Sequence, residues 1–97
     1  MKLVFRPQAL DELAEIQLWY EQQARGLGQE FMRAVEATLG QIERFPQAST
    51  CVSDNVRRAV LRRFPYFLFY ALEGGEVVIL GCIHQQRSSI HWPINDH

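Results

Sequence analysis

His84 and Arg87 stand three residues apart near the end of the chain. Histidine can give or take a proton near neutral pH, so it could act as a general base or donate to a phosphate. The planar fork of arginine can hold a phosphate or carboxylate through two parallel hydrogen bonds. Each residue also has a plainer reading: a strand-end histidine bonded to a neighbour, and an arginine paired with a surface acid. Upstream, Arg57, Arg58, Arg62 and Arg63 fall within seven positions. That density suits an acidic protein surface or nucleic acid, although arginines on an exposed strand are usually solvated or ion-paired. Tyr66, Phe67, Phe69 and Tyr70 follow at once. They alternate across a strand, so one pair should face the core and the other solvent or a partner. Aromatics beside arginines have the composition of interface anchors, but core packing is the preferred reading. Trp92 is large and apolar enough to be expected either against a sheet edge or against a partner.

The rest of the chemistry is narrowly bounded. There is no glycine-rich phosphate loop and no paired carboxylate–histidine ligand motif. His84 and His91 lack cysteine or carboxylate companions at ligand spacing, so neither a cofactor nor a metal is expected. Cys51 in a polar stretch and Cys82 in an apolar run read as reduced, structural residues. Ninety-seven residues with 47% hydrophobic content suit a single domain, residues 1–97, with one two-layer core. The opening Met-Lys-Leu-Val-Phe-Arg meets Pro7 immediately and offers neither a signal peptide nor a membrane span, so a cytoplasmic protein is expected. The net charge of −1 gives no general attraction for phosphates. Its distribution is uneven: residues 1–50 carry seven acids and five bases, residues 51–97 four acids and five bases. An anionic partner would meet the second half.

These side chains must be positioned by elements that the pattern supplies. Lys2 to Arg6 reads as a short strand. Pro7 then opens a helix, where a first-turn proline is tolerated, and Asp11 and Glu12 suit the positive end of its dipole. Ala9, Leu13, Ile16 and Tyr20 make an apolar stripe with Trp19 beside it. Gly26 and Gly28 interrupt that period, and Phe31, Val35, Leu39 and Ile42 form a second stripe, so two helices make an antiparallel hairpin. Phe45-Pro46 ends the second helix, and polar residues 47–55 read as a loop. From Arg57 the spacing becomes two: Arg58, Val60 and Arg62 alternate with Ala59 and Leu61, as on a strand with one wet face. Tyr66 to Leu72 and Val77 to Ile83 are further strands, joined by Glu73-Gly74-Gly75-Glu76, a two-residue hairpin signal. The fold class is therefore α+β: an N-terminal strand, a two-helix antiparallel hairpin and a three-strand antiparallel meander, with the helices on one face of a four-strand sheet. Trp92-Pro93 and the residues after it read as a frayed tail.

Several stretches resemble the RelE/ParE superfamily of type II toxin–antitoxin toxins, many of them labelled plasmid-stabilisation proteins. They are Ala-Leu-Asp-Glu-Leu at 9–13, Gly-Leu-Gly-Gln-Glu-Phe at 26–31, Ile-Glu-Arg-Phe-Pro at 42–46, Val-Arg-Arg at 56–58, Phe-Pro-Tyr at 64–66 with Tyr70, and His84-Gln-Gln-Arg87 followed by Trp92. The resemblance implies a helical hairpin packed on a curved, mainly antiparallel sheet. It also implies a cognate antitoxin encoded alongside. RelE-like members cleave messenger RNA on the ribosome, whereas ParE-like members poison DNA gyrase.

The residues divide these activities. A ribonuclease of this kind needs a base, cationic stabilisers and an acid, and here Arg62, His84 and Arg87 are the candidates. In RelE the tyrosine matching Tyr66 is followed by an active-site arginine, where this chain has Phe67. His91-Trp92 stands where a terminal tyrosine often serves, and an indole is neither acid nor base. Ser88-Ser89 replaces the frequent Asp-Pro after the arginine. That last change bears on the loop conformation alone, whereas Phe67, Trp92 and a pI near 6.3 favour a gyrase poison, with the ribosome-dependent endonuclease and an inactive antitoxin-binding module as alternatives. In either toxin reading, Arg57, Arg58, Arg62, Arg63, Tyr66, His84, Arg87 and Trp92 are the expected partner-binding residues.

Overall fold

The computed structural model describes residues 1–87; Trp92 and the expected tail lie outside the described residues. Strand β1 (Lys2–Phe5) leads into helices α1 (Pro7–Gln23) and α2 (Leu27–Arg44). Strands β2 (Thr50–Ser53), β3 (Val56–Val60), β4 (Tyr66–Glu73) and β5 (Glu76–His84) follow. The sheet order is β1-β5-β4-β3-β2. β1 runs parallel to β5, and every other pairing is antiparallel.

The expected layout therefore holds, with one strand added. β2 lies in the segment read as polar loop. Its Thr-Cys-Val-Ser run shows no alternation, because only Val52 is partly buried and the pairing with β3 is irregular between Cys51 and Ser53. An edge strand with one covered residue leaves almost no hydrophobic signal in sequence. At the other hairpin, Gly74 and Gly75 take φ of 56° and 78°, the geometry a primed two-residue turn requires.

Both helical stripes face the sheet. Ala9, Leu13, Ile16 and Tyr20 of α1 and Phe31, Val35, Leu39 and Ile42 of α2 join Leu68, Tyr70, Val77 and Ile79 in the main core. Full burial of side chains such as Phe31 or Ile42 contributes roughly 1.5–3 kcal/mol each. The helices approach closely at Gly28, where a Cβ would lie 2.6 Å from the Gln17 carbonyl oxygen. The chain enters α2 through Gly26 at φ 88°. The Glu21 carboxylate accepts hydrogen bonds from the Gly26 and Gly28 N–H groups, at 2.9 and 3.0 Å. It thereby satisfies donors that a helix start otherwise leaves open.

β4 alternates as its aromatics suggested. Tyr66, Leu68, Tyr70 and Leu72 face the helices. Phe67, Phe69 and Ala71 join Val78, Leu80 and Ile83 in a second apolar cluster on the opposite face. The register slips once: Phe69 pairs with Gly81 and Tyr70 with Ile79, so β5 carries a bulge at Leu80.

Candidate functional site

The four clustered arginines do not form one basic strip. β3 stops at Val60, and the chain turns through 61–65 before β4. Arg57 is spent on structure, since its Nη1 donates to the Gln47 and Ser49 carbonyls at 3.0 and 2.7 Å and so pins the α2–β2 connection. Arg58 points to the face away from the helices, with its guanidinium carbon 4.6 Å from the centre of the Phe67 ring. Its Nε is buried without a hydrogen-bond partner, a costly state for a charged group unless a partner completes it. Arg62 and Arg63 lie beyond the strand. Arg63 adopts φ 70°, left-handed backbone that costs an ordinary residue about 1–2 kcal/mol. Its Nη2 meets Glu30 Oε1 of α2 at 2.8 Å. Together with Arg33 and Ala34 of α2, these residues line a cleft of about 510 Å³.

Tyr66 and His84, paired across the start of β4 and the end of β5, form a different corner. Their rings meet edge-on at 5.1 Å. His84 Nδ1 accepts a hydrogen bond from the Gln86 N–H at 3.1 Å, which leaves Nε2 as the donor of a neutral imidazole. With Trp19, Tyr20 and Pro65 they line an aromatic cleft of about 460 Å³. Trp19 is 53% exposed there, while Tyr20 beside it packs into the core, with the two rings 5.1 Å apart. Burial pushes the Tyr66 hydroxyl's pKa up, Tyr20 and Cys82 reinforce that shift, and the charge of Arg87 opposes it. Arg87 shares a small adjoining pocket with Glu12, Glu15, Tyr66 and Cys82.

Glu12 holds this corner together. The first turn of α1 contains no acid, so Glu12 does not serve the dipole there as its sequence position suggested. Its carboxylate reaches across to the sheet instead, where Oε1 accepts the Cys82 N–H at 2.8 Å, and Oε2 accepts from Gln8 Nε2 at 3.1 Å. The bulge after Ile79 presents that N–H to α1, and Gly81 leaves room for the carboxylate: a Cβ there would lie 2.8 Å from Oε1. Burial, with the Glu12 charge second, pushes the Cys82 thiol up to about 12.

The expected ribonuclease trio is thus divided. Arg62 lines the cleft against α2, His84 the aromatic cleft, and Arg87 the pocket beyond Tyr66. Three contributors escaped sequence reading: Arg33, Trp19 as an exposed cleft wall, and Glu12 as an anchor. Glu30 and Arg33 are separated by three positions on one helix, the spacing that puts side chains on the same face, and this was the available signal for the first. Among the described residues no group of histidine, cysteine and acidic side chains could hold a metal ion, and no helix is long and apolar enough to cross a membrane.

A helical hairpin on one side of a mainly antiparallel sheet, with the N-terminal strand parallel to the last, is the fold of the RelE/ParE toxins. The chain is similar to the chromosomal ParDE toxin–antitoxin system from P. aeruginosa, at 21% identity and TM-score 0.65 over 87% of this chain and 95% of that one. It is similar to the intact E. coli RelBE toxin–antitoxin complex at 19% identity and TM-score 0.64, over 86% of this chain and 94% of that one. The isolated E. coli RelE toxin matches at 21% and 0.64, over 92% of this chain and 88% of that one. The family model of the ParE toxin of the type II toxin–antitoxin system, parDE, matches residues 3–89, and the chain belongs to that family. A search of curated proteins gives no match.

Proposed function

We propose that this toxin acts in the cytoplasm as a poison of DNA gyrase and is silenced by a cognate antitoxin. The observation that carries the target is Phe67. It occupies the position where RelE, in the resemblance described above, has an active-site arginine. Its ring lies under Arg58 and its side chain belongs to the apolar cluster of the sheet. A cation missing from such a site costs about 3–4 kcal/mol of transition-state stabilisation. The division of Arg62 from His84 and Arg87 between separate clefts, and the match to the ParE family model, support the same reading.

The second reading, a ribosome-dependent endonuclease, draws on one observation: His84, Tyr66 and Arg87 remain neighbours, with an imidazole donor and a cation beside a phenol. Induction of the wild-type chain without antitoxin separates the two. Loss of supercoiling activity and double-strand breaks with intact messages are the expected result. Prompt cleavage of messages on the ribosome, abolished in His84→Ala or Arg87→Ala with supercoiling unaffected, would replace the gyrase reading by the nuclease.

The antitoxin is proposed to dock through apolar contacts and, at an edge strand of the sheet, through backbone pairing. Arg58 is the arginine proposed to meet its acidic side chains, because this half-buried residue sets its guanidinium over Phe67 on the sheet face away from the helices. Arg58→Glu should weaken antitoxin binding at moderate salt, measured by calorimetry. Unchanged affinity would remove this face from the interface.

A further inference from the structure

We propose that the cleft formed by Arg33, Arg62 and Arg63 is a contact site for the phosphodiester backbone of a nucleic-acid duplex. Three guanidinium groups from two elements line one space of about 510 Å³ against a single carboxylate, Glu30. The lining therefore carries +2 in a chain whose net charge is −1. The Arg63–Glu30 pair leaves both side chains substantially exposed, at 72% and 44%. Such pairs contribute about 0–1 kcal/mol, so an arriving phosphate can take over the Arg63 fork at small cost. Arg63 is nevertheless held in left-handed backbone, a strained state of the kind that gathers at binding sites.

The lining also distinguishes between kinds of anion. Apart from Ala34 it contains no apolar or aromatic side chain, so an acidic peptide would find no anchor of the sort that carries protein interfaces. Backbone phosphates are bound by charge and forked hydrogen bonds alone. This inference is independent of the gyrase reading, because its test contains neither gyrase nor antitoxin.

The test is fluorescence anisotropy of a labelled 16-base-pair DNA duplex, and of an RNA duplex of the same sequence, titrated with the full chain across a range of salt. Two neutralised phosphates should give log K against log salt a slope of about −1.8 with DNA. Binding should be insensitive to sequence, and RNA should also be bound. Arg33→Gln with Arg62→Gln should weaken binding roughly tenfold at low salt and flatten the slope. Glu30→Gln, which removes the competing carboxylate, should tighten it roughly two- to fivefold. Circular-dichroism melting of each variant establishes that it is folded. Duplex binding unchanged by the double substitution, no salt-dependent duplex binding, or displacement of the duplex by polyglutamate at equal charge concentration would each overturn the proposal.

Discussion

The two charged corners of the sheet are built on opposite plans. At the end of β5, Glu12, Cys82, Tyr66 and His84 are located by buried or half-buried contacts: a carboxylate on a bulge N–H, a desolvated thiol and edge-on rings. At the end of β3, Arg33, Arg62 and Arg63 are exposed and tied by a single ion pair. The first corner fixes atoms in position, and changing it should disturb the fold. The second sets up a field, which substitution should remove with little effect on stability.

The sharpest way to break this contrast is Glu12→Ala. It leaves the Cys82 N–H without its partner in a half-buried position, at an expected cost of about 1–3 kcal/mol in denaturant unfolding. A loss below about 0.5 kcal/mol would mean that water replaces the carboxylate and that the corner is not rigid. Gly81→Ala comes next, since its new Cβ meets the end of the Glu12 side chain at 2.8 Å. The carboxylate should shift and stability should fall by about 1 kcal/mol, with less additional loss in the Glu12→Ala background.

Alkaline pH probes the same corner without substitution. The Cys82 thiol is raised from an ordinary value of 9.0 to about 12 by burial. Above pH 9 the unfolded chain releases this proton while the folded chain retains it. Stability should therefore be complete below pH 9 and decline as pH rises towards 12. Tyr20 and Tyr66, also raised by burial, act in the same direction at the upper end of that window. Cys82→Ala should show a shallower alkaline fall in melting temperature than the wild type. An identical fall would assign the effect to the tyrosines.

The smallest effect is expected at the other corner. Arg63→Gly relieves left-handed strain of about 1–2 kcal/mol. It also loses an exposed pair worth at most about 1 kcal/mol and loosens the unfolded chain. The net change in stability should lie within about 0.5 kcal/mol, and a larger loss would show that the exposed corner is structural.

This contrast also marks how far the sequence could be read. The helical stripes, the Gly74-Gly75 turn and the alternation of Tyr66 and Tyr70 with Phe67 and Phe69 were legible because each depends on local period or on the φ that glycine allows, although which aromatic pair faces the helices was not. β2 was not, because an edge strand with one half-buried residue has no period. The split of the arginines was hidden by the end of β3: alternation could continue through Arg62 on paper, whereas the chain leaves the sheet after Val60. The bond between Glu12 and Cys82 was hidden more deeply, since a bulge is a property of two paired strands and belongs to neither sequence alone. At the candidate site, residue type and the family resemblance singled out His84, Tyr66 and Arg87 as candidates, and the fold sets Tyr66 beside His84 and beside Arg87 in one small pocket. The allocation of side chains to separate clefts required the fold.

The parallel pairing of β1 with β5, which sets Lys2 opposite Glu76, has a consequence for the order in which the chain matures. β1, made before the two helices, has its hydrogen-bonding partner in the last described strand, and closing so long a loop is slow compared with forming the helices between them. During translation the helical hairpin can assemble while β1 waits unpaired. The sheet formed by the described strands closes only when β5 has left the ribosome. His84 and the aromatic cleft are assembled in that same final step, so a nascent or truncated chain lacks the finished corner. Any capacity for harm that depends on this corner arises only once synthesis has passed His84.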